Sequence, residues 1–327
     1  MKLLIKILAC ILAVVLLAAG IFWFNCRIIN HRSFMAGLTD AVLLLQHRSD
    51  KFTYLDVCEE YIAEKAVSNL EPVVIDSAKF DISVRENSTD QMQAFVYNEQ
   101  GSPAQTVFYF HGGAYINQPN NQQTTMAART AKETGAEVVL MVYPKEPVST
   151  CSEAYDACIS YYLEYISQKD CGKVVFMGDS AGGGLALGLA QTLRDMGESG
   201  PEELILISPW VDLTMSNPDM QDYLEKDAML GIDGLRRMGE VWAGELDVTD
   251  SRVSPLYGDM TGLCPVVLTT GSWEILYPDT QLLHEKLQEA GVDVTYVVGE
   301  RMMHCYPICP IPEAKEAQSV IWAAIVR

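Results

Sequence analysis

The sequence predicts one α/β domain in which a mostly parallel sheet is covered by helices on both faces. Short apolar runs rich in β-branched residues alternate with amphipathic helical stretches, as they do when parallel strands are joined by helical crossovers. The runs interpreted as strands span residues 106–110, 137–142, 173–177, 203–207, 265–269 and 292–298. Two earlier runs, 73–84 and 93–97, predict an antiparallel start to the same sheet.

Length and composition exclude some classes of function. The chain has 327 residues, of which 49% are hydrophobic, so a sizeable core is expected. Its 23 basic and 43 acidic residues give a formal net charge of -20. A surface that binds nucleic acid needs a surplus of Lys and Arg, so no nucleic-acid partner is predicted. The same charge disfavours anionic substrates.

The cysteines do not indicate a metal centre. There are 9 of them, without paired CxxC or zinc-finger spacing, and we interpret most as small buried apolar residues. A disulfide between Cys305 and Cys309, or between Cys151 and Cys158, stays open for a domain outside the cytoplasm. No metal site is predicted.

The N-terminal segment 1–30 is predicted to be a membrane anchor or a signal segment. After two lysines, residues 7–24 form an uninterrupted apolar run that reaches the lower length limit of a membrane-spanning helix. The run ends in aromatic residues at 22–24, as retained anchors often do at the membrane interface. Cleavage near 18–20 would instead release a secreted domain.

The charges that flank this segment bear on its orientation. Lys2 and Lys6 precede the apolar run, together with the α-amino group, and Arg27 and Arg32 follow it. The positive-inside rule then favours a cytoplasmic N-terminus and an extracytoplasmic domain. The alternative, a buried core helix, fits poorly, because such helices seldom combine two lysines with so long a stretch free of polar residues.

The remaining residues, 31–327, contain no repeat or long linker and are predicted to fold as one domain. Two segments interrupt the strand–helix alternation: 33–70, which has helical patterns, and 212–263, which lies between two predicted strands. The second also carries helical patterns, at 219–226 and 234–243, and is too long for a plain loop. We expect the two segments to form a cap over a binding site.

Ser180 is the predicted nucleophile. It stands in Gly178-Asp179-Ser180-Ala181-Gly182, between the strand 173–177 and a helical stretch at 185–196. A serine on such a strand-to-helix turn adopts a strained backbone conformation, and the glycines two residues before and after it prevent clashes. The alternative, a phosphate-binding turn, lacks the lysine of a P-loop and the glycine spacing of a dinucleotide site.

A second glycine motif predicts an oxyanion hole. His111-Gly112-Gly113-Ala114 follows the strand 106–110, and glycines let backbone N–H groups approach a developing alkoxide. We expect the N–H groups of Gly112, Gly113 and Ala181 to be the donors, each stabilising the transition state by roughly 3–4 kcal/mol. The His111 side chain is interpreted as a support for this loop rather than as a catalytic base.

The two glycine motifs together resemble those of the hormone-sensitive-lipase family of esterases, which has the α/β-hydrolase fold. The stretches 208–214, 254–257 and 271–276 also resemble signatures of that family, so the likeness covers roughly residues 70–325. The resemblance implies a lid built from N-terminal helices and a later insertion. The chain departs from the family at 143–147, where Tyr-Pro-Lys-Glu-Pro replaces its usual motif, and in having Glu274 where the family commonly has Asp.

The base and the acid are predicted from chain order, because in this fold the acid and then the histidine follow the nucleophile. His304 lies in a loop after the last predicted strand, whereas His284 lies in an amphipathic helix and is interpreted as a surface residue. Glu274 follows the strand 265–269 and matches the family position. Asp279 is the alternative acid, although it suits the start of a helix better.

These residues predict a serine hydrolase that cleaves small-molecule carboxylic esters, with short to medium acyl chains, through an acyl-enzyme. The predicted chemistry needs no cofactor and no metal. The same triad supports amide, thioester or lactone cleavage, and the fold also occurs in ligand-binding proteins without activity, so both alternatives stay open.

Overall fold

The computed structural model of the protein describes residues 2–327, so Met1, the first residue of the predicted anchor, lies outside the described residues. The helices are α1 (Lys2–Phe24), α2 (Phe34–Leu45), α3 (Asp50–Thr53), α4 (Leu55–Ser68), α5 (Asn121–Thr134), α6 (Cys151–Gln168), α7 (Ala181–Met196), α8 (Ile232–Ala243), α9 (Tyr277–Glu289) and α10 (Ala314–Val326). The strands are β1 (Val84–Glu86), β2 (Gln93–Tyr97), β3 (Gln105–Phe110), β4 (Glu137–Val142), β5 (Lys173–Asp179), β6 (Glu203–Ile207), β7 (Val266–Gly271) and β8 (Val294–Gly299).

Within residues 2–327 the strands form one sheet in the order β1-β2-β4-β3-β5-β6-β7-β8. The strands β3 to β8 pair in parallel, and β1 and β2 are antiparallel to their neighbours. The parallel strands are joined by helices, and their carboxyl ends lie at one edge of the sheet. Strand β5, which leads into Ser180, lies between β3 and β6 and therefore opens onto the middle of that edge.

The structure confirms the mostly parallel α/β fold, and each of the six predicted parallel strands appears within two residues of its expected start. The predicted strand at 73–84 is wrong: only Val84–Glu86 is extended in the sheet, and Ser77–Lys79 forms a 3₁₀ turn. Asp76 caps that turn through a bond from the Ala78 N–H, and the Val73 N–H donates to the Gln93 side chain. These side-chain bonds take the place of the backbone ladder that a longer strand would need.

Helices cover both faces of the sheet, and each face has its own apolar core. On one face α6, α7 and α9 bury Tyr155, Leu185 and Leu283 among the side chains of the central strands. On the other face α5 and α10 bury Met126 and Ile321. Parallel strands covered in this way are apolar on both sides, which explains why their runs in the sequence do not alternate.

The helices from the two irregular segments pack against each other. Helix α8 lies so close to α3 that a Cβ on Gly234 would stand 2.5 Å from the carbonyl oxygen of Lys51. A side chain at Gly234 would therefore displace the α3 backbone. Helix α8 is also fixed to the rest of the domain, because Trp242 stacks on Tyr115 with ring centroids 4.1 Å apart.

Within the described residues, one helical stretch, Lys6–Ile29, is long and apolar enough to cross a membrane, with a mean hydropathy of 2.8. Its apolar side chains are largely exposed, and only its C-terminal end packs on the domain, where Cys26 is buried and Phe22 contacts Phe34. The chain directly after it is tied to the domain. The Arg32 guanidinium is buried, pairs with Asp40 at 2.6 Å and stacks over Trp273, while the Ser33 hydroxyl donates to Glu313 at 2.8 Å.

Candidate active site

Ser180 occupies the sharp turn between β5 and α7. Its backbone angles, φ 53° and ψ -124°, lie in a region that residues with a Cβ rarely adopt. The turn is held by hydrogen bonds on both sides: the Ser180 N–H donates to the Ile207 carbonyl at 2.8 Å, and its carbonyl accepts from the Trp210 N–H at 2.9 Å. The surrounding chain therefore fixes the strained conformation and holds the serine at the carboxyl edge of the sheet.

The glycines on either side of Ser180 are required by close packing. A Cβ on Gly178 would lie 2.2 Å from the Gly182 carbonyl oxygen, and a Cβ on Gly182 would lie 2.0 Å from that of Phe110. Strand β5, helix α7 and strand β3 thus approach each other more closely than any side chain allows. This is the packing reason for the glycine spacing in the sequence.

His304 and Glu274 are brought together by the loops after β8 and β7. The His304 Nδ1 is hydrogen-bonded to Glu274 Oε2, and both side chains are buried. The other carboxylate oxygen, Oε1, accepts from the Gly271 N–H at 3.1 Å and from the Thr270 hydroxyl. With Nδ1–H donating to the carboxylate, the Nε2 nitrogen is left as the proton acceptor.

The environment of His304 also sets its protonation. Burial lowers the pKa of His304, but the Glu274 carboxylate, with further contributions from Asp227 and Asp179, outweighs burial and raises the pKa above its ordinary value. The imidazolium is thereby stabilised, as a base that takes a proton from serine requires.

This shift predicts the pH dependence of activity. Only neutral His304 can accept a proton, so kcat/KM should fall as the pH is lowered through the pKa of the free enzyme. Because that pKa is raised, the midpoint of the fall in kcat/KM on the acidic side should lie above the ordinary histidine pKa of about 6.5. Asp227→Asn removes one of the charges that stabilise the His304 imidazolium, so it should move this midpoint to lower pH. Ester hydrolysis measured from about pH 5 to 9 tests this prediction, and an unchanged midpoint in the variant would contradict it.

The oxyanion prediction needs one correction. The Gly112 N–H donates to Asp179 Oδ1 at 3.1 Å, so it is engaged within the protein and does not fit the predicted role of oxyanion donor. Among the described residues, no protein acceptor takes the N–H groups of Gly113, Ala114 or Ala181. Ala181 begins α7, where N–H groups lack intrahelical partners. Ala114, which the sequence reasoning missed, lies beside the site with φ 55°.

Asp179, the residue before Ser180, was also missed as a functional candidate. Its carboxylate accepts from Tyr109 Oη at 2.6 Å, from Gln123 Nε2 at 2.8 Å and from the Gly112 N–H. Burial raises the pKa of Asp179, although these three donors oppose the shift. The carboxylate therefore joins the nucleophile turn to the glycine loop after β3.

We expect Asp179→Asn to lower kcat, because an amide places an N–H group against one of the three donors. A buried group left unsatisfied costs about 1–3 kcal/mol, which is roughly 5- to 150-fold if it falls wholly on the transition state. Hydrolysis of a p-nitrophenyl ester measures kcat, and a thermal melt measures stability. Asp195→Asn, at an exposed position on α7, is the matched control. An unchanged kcat in Asp179→Asn would refute this positioning role.

The other histidines and the other carboxylate that the sequence offered as site residues make contacts of a different kind. His284 is on α9 and stacks on Tyr296 with ring centroids 4.4 Å apart. Asp279, in the first turn of α9, accepts from Asn217 Nδ2 at 2.8 Å, and burial raises its pKa to about 7. The His111 ring lies under Tyr143 and donates from Nδ1 to the Gly112 carbonyl at 2.9 Å. Burial, aided by Lys145, lowers the pKa of His111 to about 3.

A cavity of about 780 Å³ opens over these residues, a size typical of a small-molecule site. Ser180, His304 and the loop from Gly112 to Ala114 line its floor. Helices from both irregular segments also line it, including Met35 and Val42 of α2, Tyr61 of α4 and Leu235 of α8. The cavity therefore has an apolar wall above Ser180.

Two further side chains near His304 were not expected. The Cys305 Sγ lies 3.3 Å from His304 Nε2 and also lines the cavity. Among the described residues no hydrogen bond joins Ser180 Oγ to His304 Nε2.

Asp227, in the second irregular segment, accepts from the Ile275 N–H at 2.9 Å and so holds the chain beside Glu274. Burial raises the pKa of Asp227 to about 6.

Comparison with known proteins finds a hydrolase family model, curated esterase relatives and a similar solved structure. A family model described as alpha/beta hydrolase fold matches residues 107–308. An esterase of Acinetobacter venetianus is 33% identical over 225 residues, which cover 67% of this chain and 73% of the relative. An acetyl-hydrolase of Streptomyces hygroscopicus is 32% identical and covers 67% of this chain and 74% of its own length. A crystal structure of a Staphylococcus aureus protein, 30% identical, superposes with a TM-score of 0.81 over 86% of this chain and 96% of that one.

Proposed function

Because the chain belongs to the hormone-sensitive-lipase-like esterases of the alpha/beta hydrolase fold, we propose that it hydrolyses carboxylic esters with Ser180 as nucleophile, His304 as base and Glu274 as acid. One observation carries this proposal. A serine held at φ 53° directly after the central strand lines the same cavity as a histidine that is hydrogen-bonded to a buried carboxylate.

In the proposed reaction, Ser180 Oγ attacks the ester carbonyl while its proton passes to His304 Nε2. Glu274 holds the imidazole tautomer and stabilises the imidazolium. The carbonyl electrons move onto oxygen, and the N–H groups of Gly113, Ala114 and Ala181 are the proposed donors to that oxyanion. Collapse of the intermediate breaks the bond to the alcohol, which leaves with the proton from His304. A water molecule, deprotonated by His304, then releases the acid and free Ser180.

The proposed substrates are small-molecule esters with short to medium acyl chains. The volume of the cavity, about 780 Å³, suits a ligand of this size, and its apolar side chains suit the acyl chain. The acetyl-hydrolase among the relatives is named for a short acyl group. We propose that segments 33–70 and 212–263 form the cap that shields this cavity from water.

The experiment that tests the proposal is labelling with a fluorophosphonate probe, which reacts with an activated serine. We expect one covalent adduct, mapped by mass spectrometry to Ser180, and loss of p-nitrophenyl butyrate hydrolysis in proportion to labelling. Hydrolysis that persists after complete labelling, or an adduct on another serine, would refute the assignment of the nucleophile.

We also propose that segment 1–30 is a retained anchor and that the domain is extracytoplasmic. The apolar stretch Lys6–Ile29 and the contacts of Arg32 and Ser33 with the domain support a short, rigid connection between membrane and domain. Fractionation of cells should recover the chain in membranes with its N-terminus intact. Protease added to intact cells should then degrade the domain, and a fully protected domain would contradict the proposed topology.

A further inference from the structure

The cavity over Ser180 differs in charge from the protein as a whole. The chain carries a net charge of -20, but the residues that line the cavity include Arg48, Lys51 and Lys65. Asp179 is the single carboxylate among the lining residues described in 2–327, and three donors already occupy it. The upper part of the cavity therefore has a local excess of positive charge.

The ammonium groups of Lys51 and Lys65 both lie close to the aromatic ring of Tyr61. The Lys51 ammonium is 4.1 Å from the ring centroid of Tyr61, and that of Lys65 is 5.0 Å from it. In residues 2–327 no carboxylate lies within 4.0 Å of the Lys51 ammonium, and Lys65 has only the exposed Glu64 at 3.8 Å. Glu64 is one carboxylate beside two ammonium groups, and the two like charges repel each other.

The pKa of Lys51 reflects this arrangement. Burial, together with repulsion from Arg48 and Lys65, lowers the pKa of Lys51 to about 8, and attraction to Glu64 opposes this shift only in part. The packing of Gly234 against the α3 backbone fixes the main chain at Lys51. A bound anion would neutralise the repulsion at the position where the protein itself does not.

A chain of hydrogen bonds connects Lys51 to the glycine loop. The Lys51 ammonium donates to Tyr61 Oη at 3.0 Å, and the Tyr61 hydroxyl donates to Asn117 Oδ1. Asn117 Nδ2 in turn donates to the Gly113 carbonyl at 2.9 Å. An anion at the lysines would thus lie close to the proposed oxyanion loop, within reach of one substrate molecule that also contacts Ser180.

We propose that Arg48, Lys51 and Lys65 form an anion subsite in the ester-binding cavity, which takes a carboxylate or phosphate carried by the substrate. The subsite rests on the proposed esterase function and specifies its substrate class. The ammonium groups of Lys51 and Lys65 and the guanidinium of Arg48 are donors that suit either anion. Charge-assisted hydrogen bonds of this kind stabilise a bound anion by about 1.5–3 kcal/mol, which corresponds to roughly 10- to 150-fold in kcat/KM.

The test compares an ester that carries an anionic group with a neutral ester of the same acyl chain. One pair is mono-p-nitrophenyl adipate and its methyl ester, corrected for spontaneous hydrolysis. The other pair is dihexanoylphosphatidylglycerol and dihexanoylglycerol, followed by acid release. The wild type should prefer the anionic member of at least one pair by about tenfold, and added NaCl should reduce that preference. Preference in the adipate pair alone indicates an acyl carboxylate, and preference in the lipid pair alone indicates a phosphate headgroup.

Variants assign the preference to the lysines. We expect Lys51→Met and Lys65→Met each to lower the ratio of anionic to neutral kcat/KM by about five- to tenfold, and Lys51→Arg to retain most of it. Lys65→Met leaves the hydrogen bond to Tyr61 intact, so it remains informative if Lys51→Met does not fold. Lys132→Met removes an exposed lysine that pairs with Asp81, and it should leave both rates unchanged.

The outcomes separate the two proposals. Equal rates for the charged and neutral members of both pairs, unaffected by salt or by either lysine variant, would overturn the anion subsite while leaving the esterase assignment intact. Failure of the wild type to hydrolyse any of the four esters in a Ser180-dependent manner would overturn the proposed function itself.

Discussion

Ser180→Ala should reduce kcat for a short-chain p-nitrophenyl ester by on the order of 10⁶-fold, the loss seen when the serine of a triad is removed. The reason is that no other hydroxyl can form the acyl-enzyme from the end of β5. A burst-phase assay on the purified protein measures this loss of kcat. Ser167→Ala, which alters an exposed serine of α6, is the matched control and should retain full activity.

The substitution should not change the fold. Alanine has the same difficulty as serine in adopting φ 53°, and the turn is held by backbone hydrogen bonds that alanine keeps. We therefore expect similar Tm values for Ser180→Ala and the wild type. Residual turnover above about one thousandth of wild type, from a preparation free of contaminating esterase, would contradict the nucleophile assignment.

Glu274→Gln should lower kcat by about 10³- to 10⁴-fold, as expected when the acid of a triad becomes neutral. The amide cannot stabilise the imidazolium by charge, and it can turn its N–H group towards His304, which favours the wrong tautomer. Glu274 Oε1 also accepts from the Gly271 N–H, so the NH2 of the amide would oppose the His304 Nδ1–H in one orientation and this backbone donor in the other. Steady-state kinetics at the pH optimum measure the loss.

Asp279→Asn is the control that separates the two candidate acids. Asp279 contacts Asn217 rather than His304, so its substitution should change kcat far less than that of Glu274. A large loss in Asp279→Asn together with a small one in Glu274→Gln would reverse the assignment. Glu274→Asp is a second check, because a shorter carboxylate keeps the charge and should restore part of the activity.

The sequence predicted the parallel sheet and the place of Ser180 for local reasons. Buried parallel strands are apolar on both sides, and a serine between two glycines after such a strand has few other uses. It predicted the first strand wrongly, because the apolar pattern at 73–84 does not reveal that Asp76 and Gln93 bind the backbone there. Side-chain bonds of this type depend on partners that are distant in the chain or on local turns that compete with a strand.

Within the site, the sequence limited the choice of residues, and the tertiary structure gives their contacts. Chain order left two histidines and two carboxylates as candidates, and only the folded loops bring His304 onto Glu274. The sequence also treated Gly112 as a free donor. Its N–H is engaged by Asp179, which is distant in the chain and lies beside Gly112 only because β3 and β5 are neighbours.

The sequence by itself thus determined the fold class, the nucleophile motif and an apolar N-terminal helix, since these follow from local periodicity and short spacing. Tertiary structure alone decided which N–H groups are unoccupied and where charge collects. Net charge is a sum over the whole surface, whereas the potential in a cavity depends on the few side chains that line it. For that reason a chain of net charge -20 can place Arg48, Lys51 and Lys65 together in the cavity that Ser180 also lines.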